Sequence, residues 1–323
     1  MKYRSLLVTG GAGFIGSMAV RLLAEEHPDA RVTVLDKLTY AARRRNLQPL
    51  LSEGRVNLVV GDIADPAAAK TAMTGCDAVL HFAAESHVDR SLEDATPFIH
   101  SNVQGTLNLL QTARELGVTR FLHVSTDEVY GDVTGAERHS LETDAFAPRS
   151  PYSASKAAAE HLVSAYHASY GLDTIITRGS NTYGPRQYPE KIIPLFTLNA
   201  LAGKPLPVYG RGGAIRDYMH VEDHARGILL ALERGENGQA YNVGAREQVN
   251  GLQVAEGILG LTGRPMNLLQ FVPDRLGHDY RYAIDPSKLE TLGWTRRWSF
   301  SAGLEDTVRW YAEHKTWFEG PDA

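Results

Sequence analysis

Leu6-Leu7-Val8-Thr9 runs directly into Gly10-Gly11-Ala12-Gly13-Phe14-Ile15-Gly16, and this junction decides the fold. An apolar strand, a glycine repeat and an apolar-periodic segment (Ile15, Ala19, Leu22, Leu23) follow one another without a break. Gly10, Gly13 and Gly16 form a Gly-x-x-Gly-x-x-Gly variant of the dinucleotide fingerprint, with Phe14 and Ile15 inside it. Glycines there allow a tight turn and a close approach of backbone to pyrophosphate at a helix N-terminus. A glycine repeat alone is weak evidence. Here the context is present, because Val32-Thr33-Val34-Leu35-Asp36 follows as a second strand ending in an acid. A carboxylate at Asp36 would accept hydrogen bonds from the adenosine ribose and repel a 2′-phosphate, which favours NAD over NADP. Arg43-Arg44-Arg45 could receive such a phosphate, but it lies several residues past the strand end and reads as a solvated face.

Working outward, Gly61-Asp62-Ile63 closes a third apolar strand and is placed to meet the adenine. His81-Phe82-Ala83-Ala84 closes a fourth, where the small Ala83 and Ala84 would let the cofactor pass close to backbone. Strands are expected near 4–9, 31–35, 56–60, 78–82, 120–125 and 173–178, alternating with helical patterns, the longest near 97–116 and 152–170. This alternation predicts an α/β fold with a doubly wound parallel sheet of the Rossmann kind over residues 1–180. Beyond Asn181 the chain turns to loops rich in proline and glycine, predicting a smaller C-terminal substrate-binding lobe over 181–323. Segments near 220–243 are expected to return to the sheet.

The 323 residues can bury a large core, and a net charge of −5 gives no electrostatic case for nucleic acid or anionic membrane. No apolar run approaches the ~20 residues of a membrane span. The first strand begins almost at once, leaving no room for a signal peptide, so a cytoplasmic protein is expected. The lone Cys76 sits in a turn before a buried strand, and the twelve histidines show no ligand spacing. No metal is expected.

Two further words carry chemistry: Thr126-Asp127-Glu128-Val129-Tyr130-Gly131 after the apolar run Phe121 to Val124, and Tyr152-Ser153-Ala154-Ser155-Lys156. A Tyr and a Lys spaced i, i+4 share a helix face, so the ammonium can lower the phenol's pKa and let Tyr152 take a proton from a sugar hydroxyl as hydride leaves. Alcohol oxidation has no use for a further acid and base. The adjacent carboxylates Asp127 and Glu128 therefore suggest elimination of water.

Over essentially its whole length the chain resembles the extended short-chain dehydrogenase/reductases, and within them the dTDP-glucose 4,6-dehydratases. The resemblance rests on residues 9–16, Ala84-Glu85-Ser86-His87-Val88-Asp89-Arg90-Ser91, the Thr126 and Tyr152 words, Pro189-Glu190-Lys191-Ile192-Ile193-Pro194, and Asp274-Arg275-Leu276-Gly277-His278-Asp279. It implies that Tyr152, assisted by Thr126 and Lys156, deprotonates the carbon-4 hydroxyl of glucose while hydride passes to NAD. Glu128 would then take the carbon-5 proton, Asp127 would protonate the leaving carbon-6 hydroxyl, and hydride would return to carbon 6. Ser86 would touch both cofactor and sugar. Arg216 and Arg275 resemble diphosphate-binding arginines, suited by their guanidinium forks. Asn181, Lys191, Tyr209, Asn250 and His278 match further substrate contacts. The chain departs from the family at Ala41-Ala42-Arg43, where Ala-Gly-Asn is common, and at Thr182, where a second Asn is usual.

Alternatives stay open. A nucleotide-sugar 4-epimerase would use Thr126, Tyr152 and Lys156 without the acidic pair; a dehydratase could act on UDP-glucose; a non-catalytic NAD-binding protein needs none of these groups. The family pairs its two long helices into a dimer, and stripes such as Leu107, Leu110 and Ala113, and Ala154, Ala158, Leu162 and Tyr166, lead to the expectation of a homodimer.

Overall fold

A computed structural model describes residues 2–135, 138–274 and 279–320. The expected strands form β1 (Ser5–Thr9), β2 (Arg31–Asp36), β3 (Val56–Val60), β4 (Ala78–His81), β5 (Arg120–Thr126) and β6 (Thr174–Gly179). Later come β7 (Asn181–Tyr183), β8 (Leu206–Tyr209), β9 (Ile215–His220), β10 (Gln239–Val243), β11 (Gln248–Asn250) and β12 (Leu269–Val272). Seven of them make one parallel sheet in the order β10-β6-β5-β4-β1-β2-β3. Leu6 lies between Val32 on β2 and Ala78 on β4, so the strand order reverses at β1. Ligands of such sheets bind outside the carboxyl ends of the strands at this reversal.

Side chains alternate across each strand, and both faces are covered, which is why these strands read as continuous apolar runs. Leu6, Val8, Val34, Leu122 and Ile175 pack under the helices Phe14–Glu26 and Val221–Arg234. Leu7, Leu35, Val79, Phe121 and Ile176 face the helices Pro66–Met73, Thr106–Leu116 and Pro151–Tyr170. A separate core, with Tyr183, Phe196, Leu206, Tyr218, Ile258 and Leu304, holds the second lobe together. There β9 pairs with β7 and β11, and β8 with β12.

The helix expected over 97–116 is not a uniform α-helix. It begins as Thr96–Phe98, widens to a π-helix over Ile99–Gly105 and continues as Thr106–Leu116. Asn102 accounts for the widening: its amide accepts from Glu85 N at 2.8 Å and donates to Glu85 O at 3.0 Å and to Ser155 Oγ at 2.8 Å. Gly105 must face inward as well, since a Cβ there would sit 2.6 Å from Ile63 Cδ1. An extra residue in the coil brings both inward, as π-turns beside functional sites do.

Candidate active site

A cavity of about 600 Å³ opens across the carboxyl ends of β1, β2, β4, β5 and β6 and runs under the second lobe. Its cofactor end is built by the first βα turn. Gly10 adopts φ +70°, and a Cβ there would meet Ala83 N at 2.6 Å; one on Gly16 would meet Gly10 O at 2.3 Å. Gly13 caps the helix Phe14–Glu26 without offering a side-chain acceptor. The first N–H groups of that helix therefore keep their capacity for an anion.

Asp36 is buried, and burial pushes its carboxyl up. One oxygen accepts from Ala12 N and the other from Leu38 N, both at 2.9 Å. A carboxylate has about four lone-pair positions, so this leaves acceptors for a ribose diol. These features fit a dinucleotide. Gly10, Gly13, Phe14, Ile15, Gly16, Asp36, Asp62, Ile63, Ala83, Ala84, Ser86, Tyr152 and Lys156 all border the cavity.

The arginine cluster turns to the far end of the chain. Arg43 and Arg45 donate to the carbonyls of Phe318 (3.4 Å) and Trp317 (2.8 Å). The Trp317 indole donates to Asn46 Oδ1 at 3.2 Å, and Asn46 Nδ2 donates to Ala12 O at 2.9 Å. A C-terminal strap is thereby fastened to the glycine loop through Asn46, a connection that local sequence does not signal.

At the reaction end, β5 delivers Thr126, and the following turn, Asp127–Tyr130, delivers the two acids. Thr126 Oγ1 accepts from Glu128 N and donates to Asp127 Oδ1, each at 3.3 Å. Asp127 is buried, and its Oδ2 has no hydrogen-bond partner among the described residues. Burial holds its carboxyl well above the ordinary range, and the negative charges of Glu128 and Asp217 add to the effect. These surroundings favour the protonated form of Asp127. The helix Pro151–Tyr170, started by a Ser150–Ser153 capping box, carries Tyr152 and Lys156 into the same cavity.

The expected lowering of the Tyr152 phenol does not occur in the protein alone. Burial raises it, Glu128 raises it further, and the hydrogen bond with Thr126 pulls the other way. The reason is where the ammonium goes: Lys156 Nζ donates to Val124 O at 2.7 Å and meets His123 Nε2 at 3.3 Å. Burial lowers Lys156 to about 8, so at neutral pH the ammonium prevails.

Ser86, Thr126, Glu128, Asn181, Lys191, Tyr209 and Arg216 also border the cavity. Lys191 donates to Ser86 O at 3.1 Å, tying the second lobe to the loop after β4. Arg216 lies over the Tyr282 ring and donates to the Asp279 carbonyl at 2.8 Å. Asn250 does not line the cavity; its side chain caps the helix Gly251–Thr262 by accepting from Gln253 N at 2.8 Å. Arg275 and His278 lie outside the described residues. Thr182, in place of the usual Asn, bridges Ser180 O (3.1 Å) and His224 Nδ1 (2.7 Å). Sequence reasoning missed His123, which an apolar strand marks only as buried, and Asp217, which follows Arg216 in a strand too polar to signal burial. Among the described residues no group of three or more His, Cys, Asp or Glu could hold a metal ion, and no helix is long and apolar enough to cross a membrane.

Residues 6–244 match the profile of the family described as "NAD dependent epimerase/dehydratase family". A dTDP-glucose 4,6-dehydratase from Actinoplanes sp. is 47% identical over 97% of this chain and 99% of its own length. The crystal structure of DesIV, a dTDP-glucose 4,6-dehydratase from Streptomyces venezuelae with NAD and TYD bound, superposes with a TM-score of 0.94; it is 48% identical, covering 98% of this chain and 99% of that one. A UDP-glucose 4-epimerase from Thermus thermophilus in complex with NAD is similar at TM-score 0.88 and 36% identity, covering 95% of this chain and 99% of that one.

Proposed function

Because this chain belongs to the NAD dependent epimerase/dehydratase family, we propose that it is a dTDP-glucose 4,6-dehydratase, forming dTDP-4-keto-6-deoxyglucose. Asp127 is the observation that carries the reading. A buried carboxyl whose protonated form is favoured by its enclosure, next to a second carboxylate, serves water loss and has no task in 4-epimerisation.

Asp36 would hold the adenosine ribose, Asp62 and Ile63 the adenine, and the Gly10–Gly16 turn, with Ala83 and Ala84, the remainder of the cofactor. NAD, when bound, supplies a hydride acceptor at carbon 4 and a hydride donor at carbon 6, so none is consumed. Tyr152 takes the carbon-4 hydroxyl proton with Thr126 bonded to its oxygen, and the Lys156 charge, which does not lower the phenol in the protein alone, favours the phenolate once cofactor and sugar occupy the cavity. The resulting ketone acidifies the hydrogen on carbon 5. Glu128 removes that proton, and Asp127 supplies one to the carbon-6 hydroxyl, a poor leaving group unless it departs as water. Arg216 and Lys191, with Ser86, Asn181 and Tyr209 along the cavity and Arg275 and His278 from the family resemblance, would hold the sugar nucleotide, while Asn250 is taken up as a helix cap. The protein acts in the cytoplasm as a homodimer.

The test is incubation of the purified protein with dTDP-, UDP-, CDP- and GDP-glucose, with mass detection of products. Loss of one water from dTDP-glucose without net NADH is expected. Galactose epimer as product would establish the epimerase, preference for UDP-glucose would correct the nucleotide, and an oxidised, undehydrated sugar accumulating with NADH would refute the cycle.

A further inference from the structure

Lys156 sits between two acceptors that both come from β5. The Val124 carbonyl takes one ammonium N–H at 2.7 Å, and His123 Nε2 lies 3.3 Å from the same nitrogen. His123 is fully enclosed and Lys156 nearly so. An ammonium has three donors. With two directed at the β5 side, the third is available to the cavity that Lys156 borders beside Tyr152 and Thr126.

The state of the histidine follows from its surroundings. Enclosure and the adjacent ammonium hold the His123 imidazole well below the ordinary range, which favours the neutral ring that an ammonium 3.3 Å from Nε2 requires. A neutral ring that accepts at Nε2 carries its proton on Nδ1, which is buried without a hydrogen-bond partner among the described residues, so this tautomer is held by the ammonium at Nε2 alone. Its neighbour His81, 5.1 Å away between ring centroids, is itself pushed toward the neutral form by enclosure and disfavours a charge on His123. Thr106 Oγ1 donates to Asn102 O at 2.6 Å and must therefore accept from His81 Nε2–H at 2.9 Å, leaving His81 Nδ1 to accept from Thr9 Oγ1 at 2.8 Å. The other charged group beside Lys156 is Glu160 on its own helix, bound to Arg178 of β6 at 2.7 Å, while Tyr152, Asp127 and Glu128 line the same cavity. The Glu160 charge favours the ammonium without touching it, and the acceptors that meet the ammonium directly are the uncharged Val124 carbonyl and His123.

We propose that His123 is a positioning residue for Lys156, its bare Nε2 accepting one ammonium N–H so that the third ammonium N–H is aimed at the cavity. The proposal rests on the assignment of Tyr152 and Lys156 as the oxidising pair. Its consequence is electrostatic: without that acceptor a buried N–H loses its partner, the neutral amine is favoured, and the charge that helps Tyr152 ionise is lost at lower pH.

The experiment follows Lys156 itself, so it stands or fails independently of sugar turnover. The full-length protein is labelled with acetic anhydride across pH, and the Lys156 peptide is quantified by mass spectrometry against the exposed lysines. His123→Leu should move the Lys156 midpoint down by about one unit, a roughly tenfold loss of ammonium at higher pH. His123→Gln, which returns a neutral acceptor, should recover most of the shift. A parental midpoint in a folded Leu variant, or no recovery in a folded Gln variant, overturns the proposal. Should the variants not fold, ¹⁵N NMR of the parent decides: an unprotonated Nε2 on His123 near neutral pH is expected, and a protonated Nε2 or an imidazolium overturns it.

Discussion

Tyr152 and Glu128 are close enough for the carboxylate to raise the phenol, yet their assigned tasks belong to different steps, and substitution can separate them. Tyr152→Phe removes the base for the first step, so oxidation and everything after it should slow together. Glu128→Gln keeps the shape without the base, leaving oxidation intact while dehydration falls by ~10²–10⁴-fold. Transient NADH absorbance on mixing, read together with solvent deuterium entering at carbon 5, distinguishes the two. Parental exchange and dehydration in Glu128→Gln would remove that residue from its role. Much of this chemistry was legible in the sequence, since Thr126, Asp127 and Glu128 are contiguous and Tyr152 and Lys156 lie one helical turn apart. What was not legible is the protonation state of each group. Asp127 is pushed toward its protonated form partly by Asp217, ninety residues on, and Tyr152 is raised by an enclosure that no local pattern records.

At the scale of elements, the strand and helix alternation was readable because each buried strand is a continuous apolar run closed by a turn. Two features were not. The π segment Ile99–Gly105 answers to Asn102 and Gly105, whose partners at Glu85, Ser155 and Ile63 come from other elements. The strap at Trp317 and Phe318 meets Arg43, Arg45 and Asn46 only after the whole chain has folded, so a run of three arginines resembled a solvated face. Trp317→Ala should release Asn46 and loosen the glycine loop. The expected result is a NAD dissociation constant raised several-fold by calorimetry, with the pH dependence of Lys156 labelling unchanged. Parental affinity would mean that the strap and the loop are energetically independent.

For the whole molecule, the stripes that suggested a dimer are largely used within the subunit. Leu110, Ala113 and Tyr166 pack in the core under the sheet, with Leu107 and Leu162 half-buried against it. Ile99 and Tyr170 remain exposed on the same helical pair, and Arg114 lies 4.0 Å from the Tyr170 ring centroid. That outer face is where a second copy would sit. Light scattering at working concentration should give twice the 35.4 kDa chain mass, and Ile99→Asp should shift the population toward monomer. A parental monomer would remove the homodimer from the proposal.

The return of β10 to the edge of the large sheet has a consequence for how the protein is made. A ribosome that has released only the first 180 residues has delivered six parallel strands but neither the helix Val221–Arg234 nor the strand Gln239–Val243. Leu122 and Ile175 would then lack the cover that Ile228 and Leu232 later supply. The nascent chain would carry a bare apolar face until the early part of the second lobe has also been synthesised. The two halves therefore mature together, and the amino-terminal half is the one that waits.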